Sequence, residues 1–177
     1  MKIIVDENFL SEKNKKFIEE TVLSNNFPFY LNNKTTRFDD NKFFSHVIIK
    51  RPEERKENES LFNSPYANEF IDIFKSFIVK NKINTEEILR GSVNLTFRTF
   101  ENKCSVHEDH AYPHKQLLIY LNNCKDKEAK TVLLNNVGKI IHKITPEQYK
   151  GVCFDSCPHY MIFPKRDIRA VMIFTFR

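Results

Sequence analysis

From Val93 to the C-terminus the hydrophobic period changes from that of helices to that of short strands, and this change constrains the fold more than any other feature. Upstream, Ser64-Pro65 precedes an apolar stripe of Ala67, Phe70, Ile71, Phe74, Phe77 and Ile78, which predicts a helix over 65–81. Ser11 likewise caps an earlier helix bearing Phe17, Ile18, Thr21 and Val22, and Phe27-Pro28-Phe29-Tyr30 stops it. Strands are expected at 2–5 and 43–50, then at 93–100, 104–109, 115–122, 131–135, 139–144, 151–155, 158–163 and 168–176. Eight short strands after two helices predict an α+β, mainly β fold, a jelly-roll barrel backed by N-terminal helices. Residues 31–42 and the charged run 51–60 read as exposed loops.

At 177 residues the chain is expected to form one domain, 1–177. No apolar run approaches the ~18 residues of a membrane span, and acids at Asp6, Glu7 and Glu12 do not suit a signal peptide. A cytoplasmic protein with no membrane partner is the expectation. Cys104, Cys124, Cys153 and Cys157 lack the spacing of a zinc site or a disulfide framework, so four free thiols are predicted. The net charge of +5 lies entirely in 91–177, which holds 13 basic and 8 acidic side chains, against 15 and 15 in 1–90. A solvated surface accounts for most of that excess, and an anionic cosubstrate or substrate would also be favoured there.

The second half also holds His107-Glu108-Asp109. In an extended segment His107 and Asp109 share one face while Glu108 turns away. A third imidazole at that point would give two histidines and a carboxylate with open positions opposite, a set suited to non-haem Fe(II) that binds a cosubstrate and O2. His159 is the candidate. In the last strand Arg169 shares a face with Val171, Ile173 and Thr175, so a guanidinium opens a mostly apolar row and requires an anion; Asp167 is the nearest protein candidate. His46 and His142 belong to no constellation, and His110 and His114 are placed in an exposed segment or at a pocket mouth.

His107-x-Asp109, the strand Gln116–Asn122 with Tyr120, Thr131-Val-Leu-Leu, Gly151-Val-Cys-Phe-Asp, His159 and Arg169 together resemble the 2-oxoglutarate- and Fe(II)-dependent dioxygenases. The likeness is nearest to prolyl-hydroxylase-like members, including small ones found in viruses. It implies a double-stranded β-helix (jelly-roll or cupin-like) barrel at 91–177 carrying the metal site, with 1–90 as helical support and substrate-side loops. It also implies Fe(II) on His107, Asp109 and His159, and 2-oxoglutarate held by Arg169 and Tyr120 at its far carboxylate. O2 would be consumed, with ascorbate or another reductant as an auxiliary, and a C–H bond of a protein, peptide or small molecule hydroxylated. A viral member would act in the host cytoplasm. Where such members often carry a tyrosine ten residues before the first metal histidine, this chain has Phe97, and Asn94 or Arg98 is the candidate replacement.

Two other classes compete. Two histidines and a carboxylate also serve catalytic zinc, so a zinc-dependent jelly-roll hydrolase or isomerase is an alternative, although it leaves Arg169 and Tyr120 without a role. A non-catalytic binding module is the other. Nucleic acid ranks last as a partner, because no dense Lys/Arg patch or recognised motif is present. Neither the substrate nor the oligomeric state is legible.

Overall fold

The structure is a computed structural model and describes residues 2–177. Its strands are β1 (Ile3–Asp6), β2 (Tyr30–Asn32), β3 (Phe43–Ile49), β4 (Ile88–Thr96), β5 (Lys115–Tyr120), β6 (Thr131–Leu134), β7 (Ile140–Ile144), β8 (Gly151–Asp155), β9 (His159–Met161) and β10 (Arg169–Phe176). Helix α1 (Glu12–Phe17) runs into a π-helical turn at Ile18–Val22, and α2 spans Ala67–Lys80. An antiparallel seven-stranded sheet has the order β1-β8-β5-β10-β4-β3-β2, and a three-stranded sheet the order β7-β6-β9. This is the mainly β jelly-roll architecture expected, with two facing sheets and helices behind the larger one. Among the described residues no helix is long and apolar enough to cross a membrane.

Strand alternation divides the core in two. Ala170, Met172, Phe174 and Phe176 of β10 turn to the helices, where they join Phe70, Ile73, Phe74 and Phe77 of α2. The Phe74 ring sits 4.9 Å from Phe174 and 5.1 Å from Phe176. Close approach of α2 requires glycine on the sheet, because a Cβ at Gly151 would meet the Phe77 ring at 2.6 Å. On the opposite face Val171, Leu118, Tyr120, Val152 and Phe154 pack with Leu133 and Ile144 of the smaller sheet. That same face carries Arg169 and Thr175, and the register sets Val171 beside Asn94 and Tyr120, and Thr175 beside Arg90 and Gln116.

Several expectations are corrected. Strand β4 begins at Ile88, five residues before the expected start, and so brings Arg90 into the sheet. The 31–42 segment opens with a short edge strand, β2. The helix expected from 65 begins at Ala67, after a turn in which the Ser64 hydroxyl accepts from the Tyr66 amide. Segment 104–109 is not a regular strand. Isolated bridges of Lys103 with Ile162 and of His107 with His159 join this stretch to β9 and the residue after it. Side chains compete for the ladder there: the Asp39 carboxylate takes the Ser105 amide, and the His107 ring takes the Ser105 carbonyl. All four cysteines are free and buried, and burial raises the Cys104 and Cys157 thiols to about 11, which keeps both protonated.

Candidate functional site

Between the two sheets lies a cavity of about 710 Å³, and His107, Asp109, His159 and Arg169 all line it. The His107–His159 bridge, with backbone amides donating across at 3.0 and 2.9 Å, brings the two rings to 4.5 Å between centroids. Each ring is oriented by a carbonyl two residues upstream: Nδ1 of His107 donates to Ser105 O at 2.9 Å, and Nδ1 of His159 to Cys157 O at 2.9 Å. That tautomer leaves both Nε2 lone pairs free, as a metal ligand requires. His159 is buried, and burial, then the neighbouring His107, holds its pKa down to about 4 against the pull of Asp109.

Asp109 is where the site departs most from a bare ligand triad. Its Oδ1 accepts from Arg51 Nη2 at 2.8 Å and from Arg90 Nη1 at 2.8 Å, and Arg51 also donates to its backbone carbonyl. Its Oδ2 faces His159 Nε2 at 3.8 Å. Burial alone would raise this carboxyl, but Arg90, His159 and Arg51 hold it well below the ordinary carboxylate range. Donor atoms sharing a small octahedral ion at ~2.1 Å would stand roughly 3 Å apart. Consistent with this gap, no group of three His, Cys, Asp or Glu side chains among the described residues is closed up as a metal centre. In kind the donors nevertheless fit a divalent ion: two adjacent imidazoles with free Nε2 atoms and a carboxylate with one oxygen turned toward His159.

Arg169 is 4% exposed and, among the described residues, pairs with no carboxylate. Its Nη2 donates to Thr131 Oγ1 at 2.6 Å, Nη1 reaches Met161 Sδ at 3.5 Å, and Nε is buried without a partner. Asp167 accepts instead from the Lys125 and Ile168 amides, so it does not neutralise the guanidinium. Tyr120 stands one layer behind: its hydroxyl bonds Thr131 Oγ1 at 3.1 Å and its ring lies 5.2 Å from the Arg169 guanidinium, while Thr131 lines the cavity. Asn94 lines the cavity with its Oδ1 buried and unpartnered, whereas Arg98 lies in a separate groove and Phe97 packs on Phe44.

Sequence reasoning missed Arg51, Arg90 and Thr131. Arg90 had a legible signal, because Arg90, Ser92, Asn94 and Thr96 alternate onto one face once β4 is started at Ile88. Arg51 had none, since it opens the mixed-charge run 51–60. His110 and His114 are buried rather than exposed, and His110 lines the cavity. His110 Nε2 bonds Thr175 Oγ1 at 2.8 Å, and His114 Nδ1 donates to the Tyr112 carbonyl at 2.9 Å. His46 is also buried and bridges Pro28 O and Ser64 Oγ, a structural clip. The 33–42 loop covers the cavity with Thr35, Thr36, Arg37 and Phe38, and Asp39 ties it to Ser105.

These imidazoles give the metal-free protein a pH signature. An unfolded histidine titrates near 6.5, whereas His159, and His110 held down by burial and then Arg51, both sit at about 4. Between those values the unfolded chain binds more protons, so stability falls as pH is lowered from about 6.5 toward 4. The depressed Asp109 adds a loss only below the ordinary carboxylate range. Melting temperatures of metal-free protein should therefore decline across that window, with a shallower decline for His159→Gln. A flat profile would contradict the burial of these rings.

No known family model matches the chain, and no curated protein matches it. Solved structures do. A 2OG-Fe(II) oxygenase family oxidoreductase from Burkholderia pseudomallei superposes with a TM-score of 0.75 at 13% identity, covering 98% of this chain and 84% of that one. A prolyl hydroxylase from Trichoplax adhaerens, solved with a hypoxia-inducible-factor oxygen degradation domain peptide, gives 0.64 at 16%, covering 98% and 82%. A viral collagen prolyl hydroxylase from Paramecium bursaria Chlorella virus-1, solved with 2-oxoglutarate, gives 0.58 at 12%, covering 99% and 95%. At these identities the likeness is one of fold, and it extends over nearly the whole chain.

Proposed function

We propose that this protein is a 2-oxoglutarate- and Fe(II)-dependent dioxygenase that hydroxylates a C–H bond of a substrate such as a prolyl or other protein side chain. The observation that carries the reading is Arg169, a buried guanidinium paired with no carboxylate among the described residues, lining the same cavity as His107, Asp109 and His159. A permanently charged group in that position is satisfied by an anionic ligand. A second carboxylate on the same ligand would extend toward the histidines, which matches a short dicarboxylate.

Fe(II) held by His107, Asp109 and His159 would supply the redox chemistry that couples decarboxylation of 2-oxoglutarate to succinate and CO2 with hydroxylation by O2. The chain's own part is positional. Ser105 and Cys157 carbonyls fix the two rings with Nε2 free, and Arg51 and Arg90 hold the carboxylate. Arg169 receives the far carboxylate in a bidentate match, Thr131 adds a hydroxyl, and Tyr120 holds Thr131 from behind. Asn94 lines the cavity with an unpartnered amide oxygen, where Phe97 offers no polar group. The 33–42 loop limits access of water.

The test is succinate formation from 2-oxoglutarate by protein stripped of metal and reloaded. Turnover is expected with Fe(II) and a reductant such as ascorbate, and not with Zn(II). Affinity order does not favour Fe(II), so protein purified in air should carry other metals and regain activity only on exchange. Hydrolytic turnover with Zn(II) alone would replace this reading with the zinc one.

A further inference from the structure

The cavity has a second cationic end. Arg90 pairs with Thr175 of β10, six residues along the strand from Arg169, so the two backbones stand roughly 20 Å apart. Arg90 and Arg51 each reach Asp109 Oδ1 at 2.8 Å, and both line the cavity. Arg90 uses only Nη1 on Asp109, and among the described residues its Nη2 and Nε meet no protein acceptor. Gln116 lies on the other side of Thr175, in register on β5, so Arg90 and Gln116 flank that residue on one face. Gln116 is 2% exposed and lines the cavity. Its amide makes no hydrogen bond to the described residues, and since Oε1 is sealed away without a partner, the amide nitrogen is the end that a ligand can meet. Thr175 is already taken, because its hydroxyl bonds His110 Nε2 at 2.8 Å.

The charges at this end do not close. Against Arg51 and Arg90 stands Asp109 alone, because Glu53, Glu54 and Glu108 are exposed and solvent screens them. A divalent ion and a dianionic 2-oxoglutarate would cancel each other, so loading the site leaves this surplus of one positive charge in place. The unused donors, from a guanidinium and an amide, require an acceptor, and the surplus requires a singly charged one. A carboxylate meets both conditions better than a phosphate dianion.

We propose, resting on the dioxygenase reading, that the substrate is a carboxylic acid whose carboxylate is received by Arg90 and Gln116 on the Asp109 side of the metal ligands. Arg90 then positions Asp109 and selects the substrate, whereas Gln116 only selects. Asp109 bonds Arg90 through Oδ1 and turns Oδ2 to His159, so a carboxylate on Arg90 lies close to the metal ligands. The C–H bond that reacts is therefore only a few carbons from the carboxylate.

Acetate is a suitable probe because it carries the carboxylate and little else, and acetamide is its neutral counterpart. On protein loaded with Mn(II) and saturating 2-oxoglutarate, which occupies Arg169, the methyl protons of acetate should be relaxed by the bound manganese in a saturable way. Those of acetamide should not. Gln116→Leu leaves Asp109 and both arginines in place and should weaken acetate binding roughly tenfold or more, as loss of a hydrogen bond to a charged group does. Arg90→Gln, compared at full Mn(II) occupancy, should weaken it at least as much. Succinate formation gives a second readout: among pairs of carboxylic acids and their primary amides, the acids should stimulate turnover and the amides should not. Run with free acids and then with short peptides, the pairs tell a small organic acid from an acidic side chain or C-terminus.

Acetate affinity unchanged in both variants, as for acetate held by the metal alone, would overturn the proposal. Acetamide binding as tightly as acetate, or amides stimulating turnover as well as their acids, would overturn it too. Failure of the wild type to bind Mn(II) and 2-oxoglutarate together would instead remove the dioxygenase reading, and the proposal with it.

Discussion

Asp109→Ala should abolish Fe(II)-dependent succinate formation and should also lower the melting temperature of the metal-free protein. The first effect follows from loss of the only carboxylate among the three proposed ligands. The second follows from what the carboxylate does without metal. Its side chain is 5% exposed and is the shared anion of Arg51 and Arg90, whose side chains are 25% and 16% exposed. Removing one partner of a buried pair is destabilising by ~3–5 kcal/mol because it strands the opposite charge, and here two like charges are left facing each other. For a chain of this size each kcal/mol shifts the midpoint by ~2–4 °C, so a drop of roughly 6–20 °C is expected. Asp109→Asn keeps an acceptor for the guanidiniums and should recover part of the stability without recovering turnover. Succinate formation at the wild-type rate by either variant would exclude Asp109 as a ligand.

The contrast between the two variants also shows which parts of the site were legible. His107, Asp109, His159 and Arg169 could be read because their chemistry is costly to place in a strand-rich segment without a purpose, and the structure gathers all four on one cavity. The strand alternation used to pair His107 with Asp109 is not what positions them. A single bridge to His159 does so, within a segment whose ladder is interrupted by the Asp39 and His107 side chains. Such competition between side chain and backbone leaves no periodic trace. Arg51 was illegible for a related reason: a mixed-charge run looks the same whether one of its arginines is anchored or all are solvated. Tyr120 was legible as a polar group on the inward face, but its depth was not, because alternation gives the face of a residue and not whether another side chain stands in front of it. The fold class was legible from period alone, whereas β2 was hidden in a segment rich in Asn, Lys, Thr and Asp that pairs only at a sheet edge.

Arg169→Ala should weaken 2-oxoglutarate binding by roughly 30-fold to several thousand-fold, the equivalent of ~2–5 kcal/mol for truncating one partner of a desolvated charge pair. Three features set the expectation at this size. Arg169 is 4% exposed, so water cannot replace it at the carboxylate. Its protein partners are the Thr131 hydroxyl and the Met161 sulfur, both neutral, so its charge is available to a ligand in full. Its Nε is buried without a partner, so the protein leaves one of its donors unused. A structural bridge to Asp167 would predict the opposite pattern, with a clear loss of stability and cosubstrate affinity intact, but Asp167 is engaged by backbone amides. The metal-free Arg169→Ala protein should therefore melt close to wild type or slightly above it, since a buried charge without a counter-ion has been removed. Mn(II) affinity in the absence of cosubstrate should hold or rise a little, because Arg169 is not a ligand and its charge repels the ion. Arg169→Lys keeps the charge but loses the planar fork, and should fall between wild type and alanine. Calorimetric titration of the Mn(II)-loaded proteins with 2-oxoglutarate gives the three affinities directly, and an alanine variant that binds 2-oxoglutarate as tightly as wild type would remove the observation on which the dioxygenase reading stands.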